Sequence, residues 1–260
     1  MAVKLGVAES SAALAENAAA EFLRLGQEAI AVRGAFRVAL AGGESPRPTY
    51  EKIAATWREA PGGALPWDRV HVYWSDERMV PRDDPRSNFA MAQAALLSRV
   101  PLPEANIHPI AVNPGDPEAA AADYEKTFRE TFAPAEGLPR FDLVFLGMGS
   151  DGHTASLFPG APTLHERSRL AVAARHPDTG EPRVTLTFPV LNHAADVIVL
   201  VTGVSKSAML ERAVRTAGRR LGGALGDLLL PIEMLRPETG TLLWMADQEA
   251  APWARSGGAS

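Results

Sequence analysis

The chain has 260 residues, 46% of them hydrophobic and 22% charged, enough to bury the core of one α/β domain spanning 1–260. A net charge of −5 and a pI near 5.7 provide no basic footprint for nucleic acid, and zero cysteines exclude a disulfide framework, a thiolate nucleophile and cysteine-ligated zinc. The longest strongly apolar runs, such as 197–201, fall far short of a membrane span, and Lys4, Glu9 and Glu16 interrupt any leader-like stretch, so a soluble cytoplasmic protein without a membrane partner is expected.

Leu14, Ala18, Phe22, Leu25 and Ala29 recur at steps of three and four, which predicts a helix over Ser11–Arg33 with Gly34 as its stop. "FRVAL" predicts a strand, and "GGESP" turns it into a helix carrying Tyr50, Ile53 and Trp57. "RVHVYW" alternates as a strand does; His71 lies on the face opposite Val70, Val72 and Trp74 and reads as structural. The charge-dense "SDERMVPRDDPRSN" reads as a loop, and helices follow in "SNFAMAQAALLSRV" and "DPEAAAADYEKTFRETF". Further strands are expected in "FDLVFL", "RVTLT", "DVIVLV" and "TLLWM", with a strand-like run in "RLAVAAR". The first, third and fourth are continuous apolar runs, as in strands buried on both faces. The tail "RSGGAS" is expected to lack order.

Strands alternating with helices imply a doubly wound, mostly parallel sheet with helices on both faces. Chemistry in such folds sits beyond the carboxyl ends of the strands. Four polar, glycine-rich loops fall there: "AGGESP", "SDERMV", "GMGSDGH" and "TGVSK".

"GMGSDGHTASLFPG" contains the G-x-G-x-x-G spacing of a dinucleotide turn. That fingerprint needs a full crossover helix and an acid about 20 residues on. Here Pro159 and Gly160 stop a helix after barely two turns, and "RLAVAAR" ends in Arg175. The glycines instead permit a sharp turn whose N–H groups can face an anion, and no cofactor is expected. His153 follows a buried strand and stands behind Asp151; a lone histidine usually bonds its own turn, but this position favours proton transfer near neutral pH. No metal is expected, since no histidine pair has ligand spacing.

A charged loop is usually a solvated face, yet "SDER" directly follows a strand. Arg78 can meet a phosphate or a developing oxyanion, Asp76 can orient a partner or act as base, and Glu77 stays undecided. In "GGESP", Ser45 and Pro46 fit an N-cap and first helical position, while Gly42 and Gly43 leave N–H groups for a phosphate; the two readings are compatible. Arg183 opens a strand and, on its own, is a surface charge. Lys206 at a helix start is disfavoured by the macrodipole by roughly 0.3–1 kcal/mol unless an anion sits between them. Arg86, Asn88 and Asp142 carry no assignment.

Taken in order, "GGESP", "SDERMVPRDDPRSN", "GMGSDGHTASLFPG", "RVTLTFPVLN" and "TGVSK" resemble the 6-phosphogluconolactonase family over nearly the whole chain. The resemblance implies a metal-free cytosolic enzyme that hydrolyses 6-phospho-glucono-δ-lactone in the pentose phosphate pathway, acting alone or as a small homo-oligomer. It makes His153 the acid/base residue and Arg78, Arg183 and Lys206 substrate-binding cations. The family more often has Ser-Thr where this chain has Glu44-Ser45, which leaves Ser45 as the hydroxyl contact. Two rivals share the fold. Glucosamine-6-phosphate deaminases carry a glutamate five residues after the histidine, where this chain has Phe158. A sugar-phosphate sensor domain of a transcriptional regulator should bring a helix-turn-helix segment and a basic face, and neither is evident.

Overall fold

Strands that are apolar on both faces must be covered twice, and the chain does this by alternation. In the computed structural model, which describes residues 2–59, 65–132, 137–217 and 229–255, the elements run β1 (Ala2–Ala8), α1 (Ser11–Arg33), β2 (Phe36–Leu40), α2 (Arg47–Glu59), β3 (Val70–Trp74), β4 (Asp76–Arg78), α3 (Asn88–Ala95), α4 (Pro117–Thr131), β5 (Leu143–Gly147), β6 (Ala171–Arg175), β7 (Pro182–Leu186), α5 (Phe188–His193), β8 (Asp196–Val201), α6 (Ser207–Ala217) and β9 (Thr241–Asp247). Beyond Arg255 the tail lies outside the described residues. Six strands form one parallel sheet in the order β1-β9-β8-β5-β2-β3. Among the described residues, no helix is long and apolar enough to cross a membrane.

The fold is the doubly wound α/β architecture expected, with four corrections. β1 was not anticipated, because at the sheet edge only Ala8 is buried and the strand carries no apolar run. β7, grouped by pattern with the parallel strands, instead joins β4 and β6 in a separate antiparallel sheet of order β4-β7-β6. "DER", read as part of a loop, is β4 itself, and its register sets Arg78 opposite Arg183. The helix expected through "SNFAMAQAALLSRV" ends at Ala95 and passes into a 3-10 turn at Leu97–Arg99.

Strand order decides where a site can form. After β2 the chain moves outward to β3, then returns to place β5 on the other side of β2. The carboxyl ends of β2 and β5 therefore diverge, and their loops leave a crevice at this switch point. Aromatic side chains pack both faces beneath it. Phe22 of α1 meets Phe36 edge-on at 5.1 Å between ring centroids, while Tyr73 of β3 meets Phe141 edge-on at 5.3 Å. His71 is structural in the sense expected, its Nδ1 lying 3.2 Å from His108 Nε2.

Two tyrosines fix the strand ends that enter the crevice. Tyr50 of α2 donates its hydroxyl to the Ala41 carbonyl and accepts from the Ala41 N–H, both at 2.9 Å. Tyr124 of α4 treats Trp74 in the same way, accepting from its N–H at 2.8 Å and donating to its carbonyl at 2.9 Å. Each hydroxyl thus supplies ladder bonds where strand pairing stops. Tyr124→Phe should destabilise the protein by about 2–4 kcal/mol, because a buried donor and acceptor lose their partner together. Denaturant melts will measure this, and a loss under 0.5 kcal/mol (roughly the noise level for surface changes) would show the bracket to be dispensable.

Candidate active site

A cleft of about 320 Å³ opens at the switch point, lined by Gly42, Gly43, Ser45, Asp76, Arg78, Asn88, the 147–150 turn, His153, Arg183 and Lys206. All four loops placed at the sheet edge by the sequence contribute to it. Asp151 stands behind His153 rather than in the lining.

The turn after β2 is shaped by close approach. A Cβ on Gly42 would lie 1.7 Å from Asn88 Oδ1, so no side chain fits there. Ser45 Oγ lies 2.8 Å from Thr202 Oγ1, linking this turn to the one after β8. Glu44, also at the cleft, is 87% exposed and meets Arg47 at 3.3 Å.

The loop after β3 is organised by a carboxylate whose role the sequence left undecided. Glu77 is buried and accepts from the N–H groups of Arg78, Asn88 and Phe89 at 2.8, 2.8 and 2.7 Å, and from Ser87 Oγ at 3.2 Å. It satisfies the free donors at the start of α3 while tying that helix to β4. Burial pushes its pKa up, and the three N–H bonds oppose the rise. Asp76 is also buried; it accepts from Ser156 Oγ at 2.6 Å and from Asn88 Nδ2 at 3.2 Å. Its bonds hold neighbours in place. Asn88 Nδ2 also donates to the Asp76 carbonyl at 2.8 Å, which fixes the amide orientation.

After β5 the backbone folds back sharply with no helical turn before Pro159, where the sequence allowed barely two. Gly149 N–H donates to the His153 carbonyl at 2.9 Å, and Thr154 Oγ1 donates to the Gly147 carbonyl at 2.9 Å. His153 is therefore not a helix-start residue. Its Nδ1 lies 2.6 Å from Asp151 Oδ1, and its side chain is 31% exposed. A Cβ on Gly149 would come within 2.2 Å of His153 Nδ1 and 2.3 Å of Asp151 Oδ1, so the pair exists only over a glycine. Phe158 packs against the imidazole, ring centroids 5.0 Å apart, and its ring also lies 5.8 Å beneath the Arg183 guanidinium carbon.

Lys206 ends a 3-10 turn, Val204–Lys206, that leads into α6. Burial lowers its pKa below the ordinary lysine value, with Asp247 opposing. Arg78 reaches the Arg86 carbonyl through Nη1, and Arg183 reaches Glu181 through Nη2 at 2.9 Å, yet the Nε of both arginines is buried without a partner. Three cations thus converge on one cleft. Among the described residues, no group of three or more His, Cys, Asp or Glu could hold a metal ion. Ser156 and Thr202 lie inside quoted motifs yet escaped sequence reasoning, because their partners Asp76 and Ser45 are far along the chain. Glu181 belongs to no quoted motif, and its tie to Arg86 spans 95 positions. Asn88 was quoted in "RSN" but acquires meaning only from its contacts with Asp76 and Gly42.

The family of glucosamine-6-phosphate isomerases and 6-phosphogluconolactonases matches residues 9–244. The chain belongs to this family, and within it to the 6-phosphogluconolactonases. It is 42% identical to a 6-phosphogluconolactonase of Synechocystis sp. over 224 residues, 86% of each chain. A solved 6-phosphogluconolactonase from Trypanosoma cruzi superposes with a TM-score of 0.81 at 29% identity, covering 100% of this chain and 99% of that one. A monomeric glucosamine-6-phosphate deaminase shares the fold alone, with a TM-score of 0.75 at 18% identity over 96% of this chain and 98% of that one.

The half-buried ammonium yields a test. Because its folded pKa is depressed, the unliganded fold gains stability only as pH rises through that value, and at neutral pH the charged form works against folding. Lys206→Met should therefore melt at the same temperature as wild type or higher. Phosphate should raise the melting temperature of wild type more than that of the variant. Equal shifts in both would place Lys206 outside the anion site.

Proposed function

We propose that the chain hydrolyses 6-phospho-D-glucono-1,5-lactone to 6-phospho-D-gluconate, the lactone-opening step of the oxidative pentose phosphate pathway, in the cytoplasm and without a metal or cofactor. The observation that carries this reading is the Asp151–His153 pair at a cleft where Arg78, Arg183 and Lys206 converge. Asp151 holds the proton on Nδ1, which leaves Nε2 as the basic nitrogen. Nε2 takes a proton from water as its oxygen attacks the lactone carbonyl carbon. The oxyanion forms beside a cation, for which Arg78 is our assignment, with phosphate binding as the competing role. Collapse of the tetrahedral species breaks the ring C–O bond, and the imidazolium returns its proton to the departing ring oxygen. Asp151 stabilises the imidazolium meanwhile, and Asp76 keeps Asn88 and Ser156 in place.

Lys206, Arg183 and the Gly42, Gly43 and Ser45 turn are assigned to the phosphate, whose binding orients the lactone over His153. The small-molecule lactone is the only partner the reading needs. No covalent nucleophile is required, since a lactone is an activated ester.

His153→Ala should keep the fold and lower kcat by about 10²–10⁴-fold, the usual contribution of a positioned base. The assay subtracts spontaneous lactone opening, and undiminished turnover in a folded variant would sink the assignment. The deaminase reading has its own test. Phe158 stands where those enzymes carry a glutamate, and it is buried against His153. No ammonia should be released from glucosamine-6-phosphate; release at a rate comparable with lactone hydrolysis would reassign the enzyme.

A further inference from the structure

Arg78 and Arg183 are register partners across β4 and β7, so two like charges stand opposite one another. Such pairs destabilise a sheet unless something else fixes them. The Glu181 carboxylate does so from outside the cleft lining. Its Oε2 accepts from Arg183 Nη2 at 2.9 Å, and its Oε1 accepts from Arg86 Nη1 at 2.9 Å. Arg86 is itself held by Asp84, through Nε at 3.0 Å and Nη2 at 2.7 Å, and its carbonyl accepts from Arg78 Nη1. Bonds therefore run from Arg183 through Glu181 and Arg86 to Arg78, joining the β3 loop to the β6–β7 hairpin.

Arg183 has little else to aim it. Its Nη1 lies 3.5 Å from Ser156 Oγ, its Nε is unpartnered, and the Phe158 ring supports the guanidinium from one side. We propose that Glu181, bridged to Arg86, is the positioning residue that fixes the Arg183 guanidinium for the anionic group of the substrate. This assignment rests on the reading of the cleft as a sugar-phosphate site.

Two effects of Glu181 oppose each other. Its negative charge repels an anion near Arg183, and its hydrogen bond removes the rotamer freedom of a long side chain before the ligand arrives. Positioning requires the second effect to win. Inorganic phosphate binding is measured by calorimetry, and KM and kcat for the lactone by turnover, in wild type, Glu181→Gln, Arg183→Met and the double variant. Glu181→Gln should weaken phosphate and raise KM by roughly 3–10-fold while kcat stays within about twofold, as loss of uniform binding dictates. In the Arg183→Met background the same change should leave phosphate binding unchanged or tighter, since only the repulsion remains to be removed.

Tighter phosphate binding by Glu181→Gln alone, or equal weakening in both backgrounds, overturns the proposal. Arg86→Met provides the second arm, because Arg86 is 60% exposed and its replacement leaves the core untouched. It should weaken phosphate in the same direction by a smaller factor, and only when Arg183 is present. No change overturns the bridge, even if Glu181→Gln fails to fold. Wild type that binds no phosphate refutes the assignment whatever the lactone assay gives. Wild type that binds phosphate with this coupling yet leaves the lactone intact refutes the proposed activity alone.

Discussion

The reversal of strand order between β2 and β5 is the constraint on which the rest depends. Parallel neighbours that continue in one direction close the space above their carboxyl ends with crossover connections, whereas a reversal sends those connections apart. The four glycine-rich and polar loops are arranged around that opening. The glycine turn leaves from β2 and the histidine turn from β5, while the loops after β3 and β8 supply cations at either flank. Tyr50 brackets Ala41, one residue past β2, and Tyr124 brackets Trp74, the last residue of β3, so the loops start from fixed ends.

Above that frame, the site is built by carboxylates that do not themselves line the ligand space. Glu77 gathers the start of α3, Asp151 orients His153, Glu181 holds Arg183, and Asp247 accepts from the Gly203 N–H at 3.1 Å beneath the Lys206 turn. Asp76 reaches the lining but spends its oxygens on Ser156 and Asn88. An anion site needs an excess of positive charge, and packing cations together is unfavourable in the free protein. Acidic groups set behind the cations relieve that penalty and leave donors facing the cleft. The buried, unpartnered Nε atoms of Arg78 and Arg183 show that the relief is incomplete.

Local chemistry was legible wherever a motif carries its own turn. "GGESP" and "GMGSDGH" announce sharp backbone and a presented histidine, because glycine spacing and a terminal proline act within a few residues. The fit between Gly149 and His153 is of this kind, enforced by a contact that a Cβ would break. Residues that act through partners far along the chain were not legible. Glu77 stayed undecided in a charge-dense loop, and it is buried at the foot of a helix. Arg183 looked like a surface charge at a strand entrance. Its significance comes from the register of β4 against β7, which no periodicity in "RVTLT" encodes. β1 was missed because an edge strand exposed on one side needs no apolar run.

The sequence by itself therefore determined the class of fold, the four loops that meet at the cleft and the turn that places His153 among them. These follow from apolar alternation and turn residues, which act over short spans of chain. The tertiary structure alone decided that the "DER" segment is a strand, that the β6–β7 hairpin leaves the main sheet, and that Arg78 and Arg183 stand face to face with Glu181 behind them. The pairing of β4 with β7 joins residues about a hundred positions apart, and it forms only when strand order, register and side-chain burial are satisfied together.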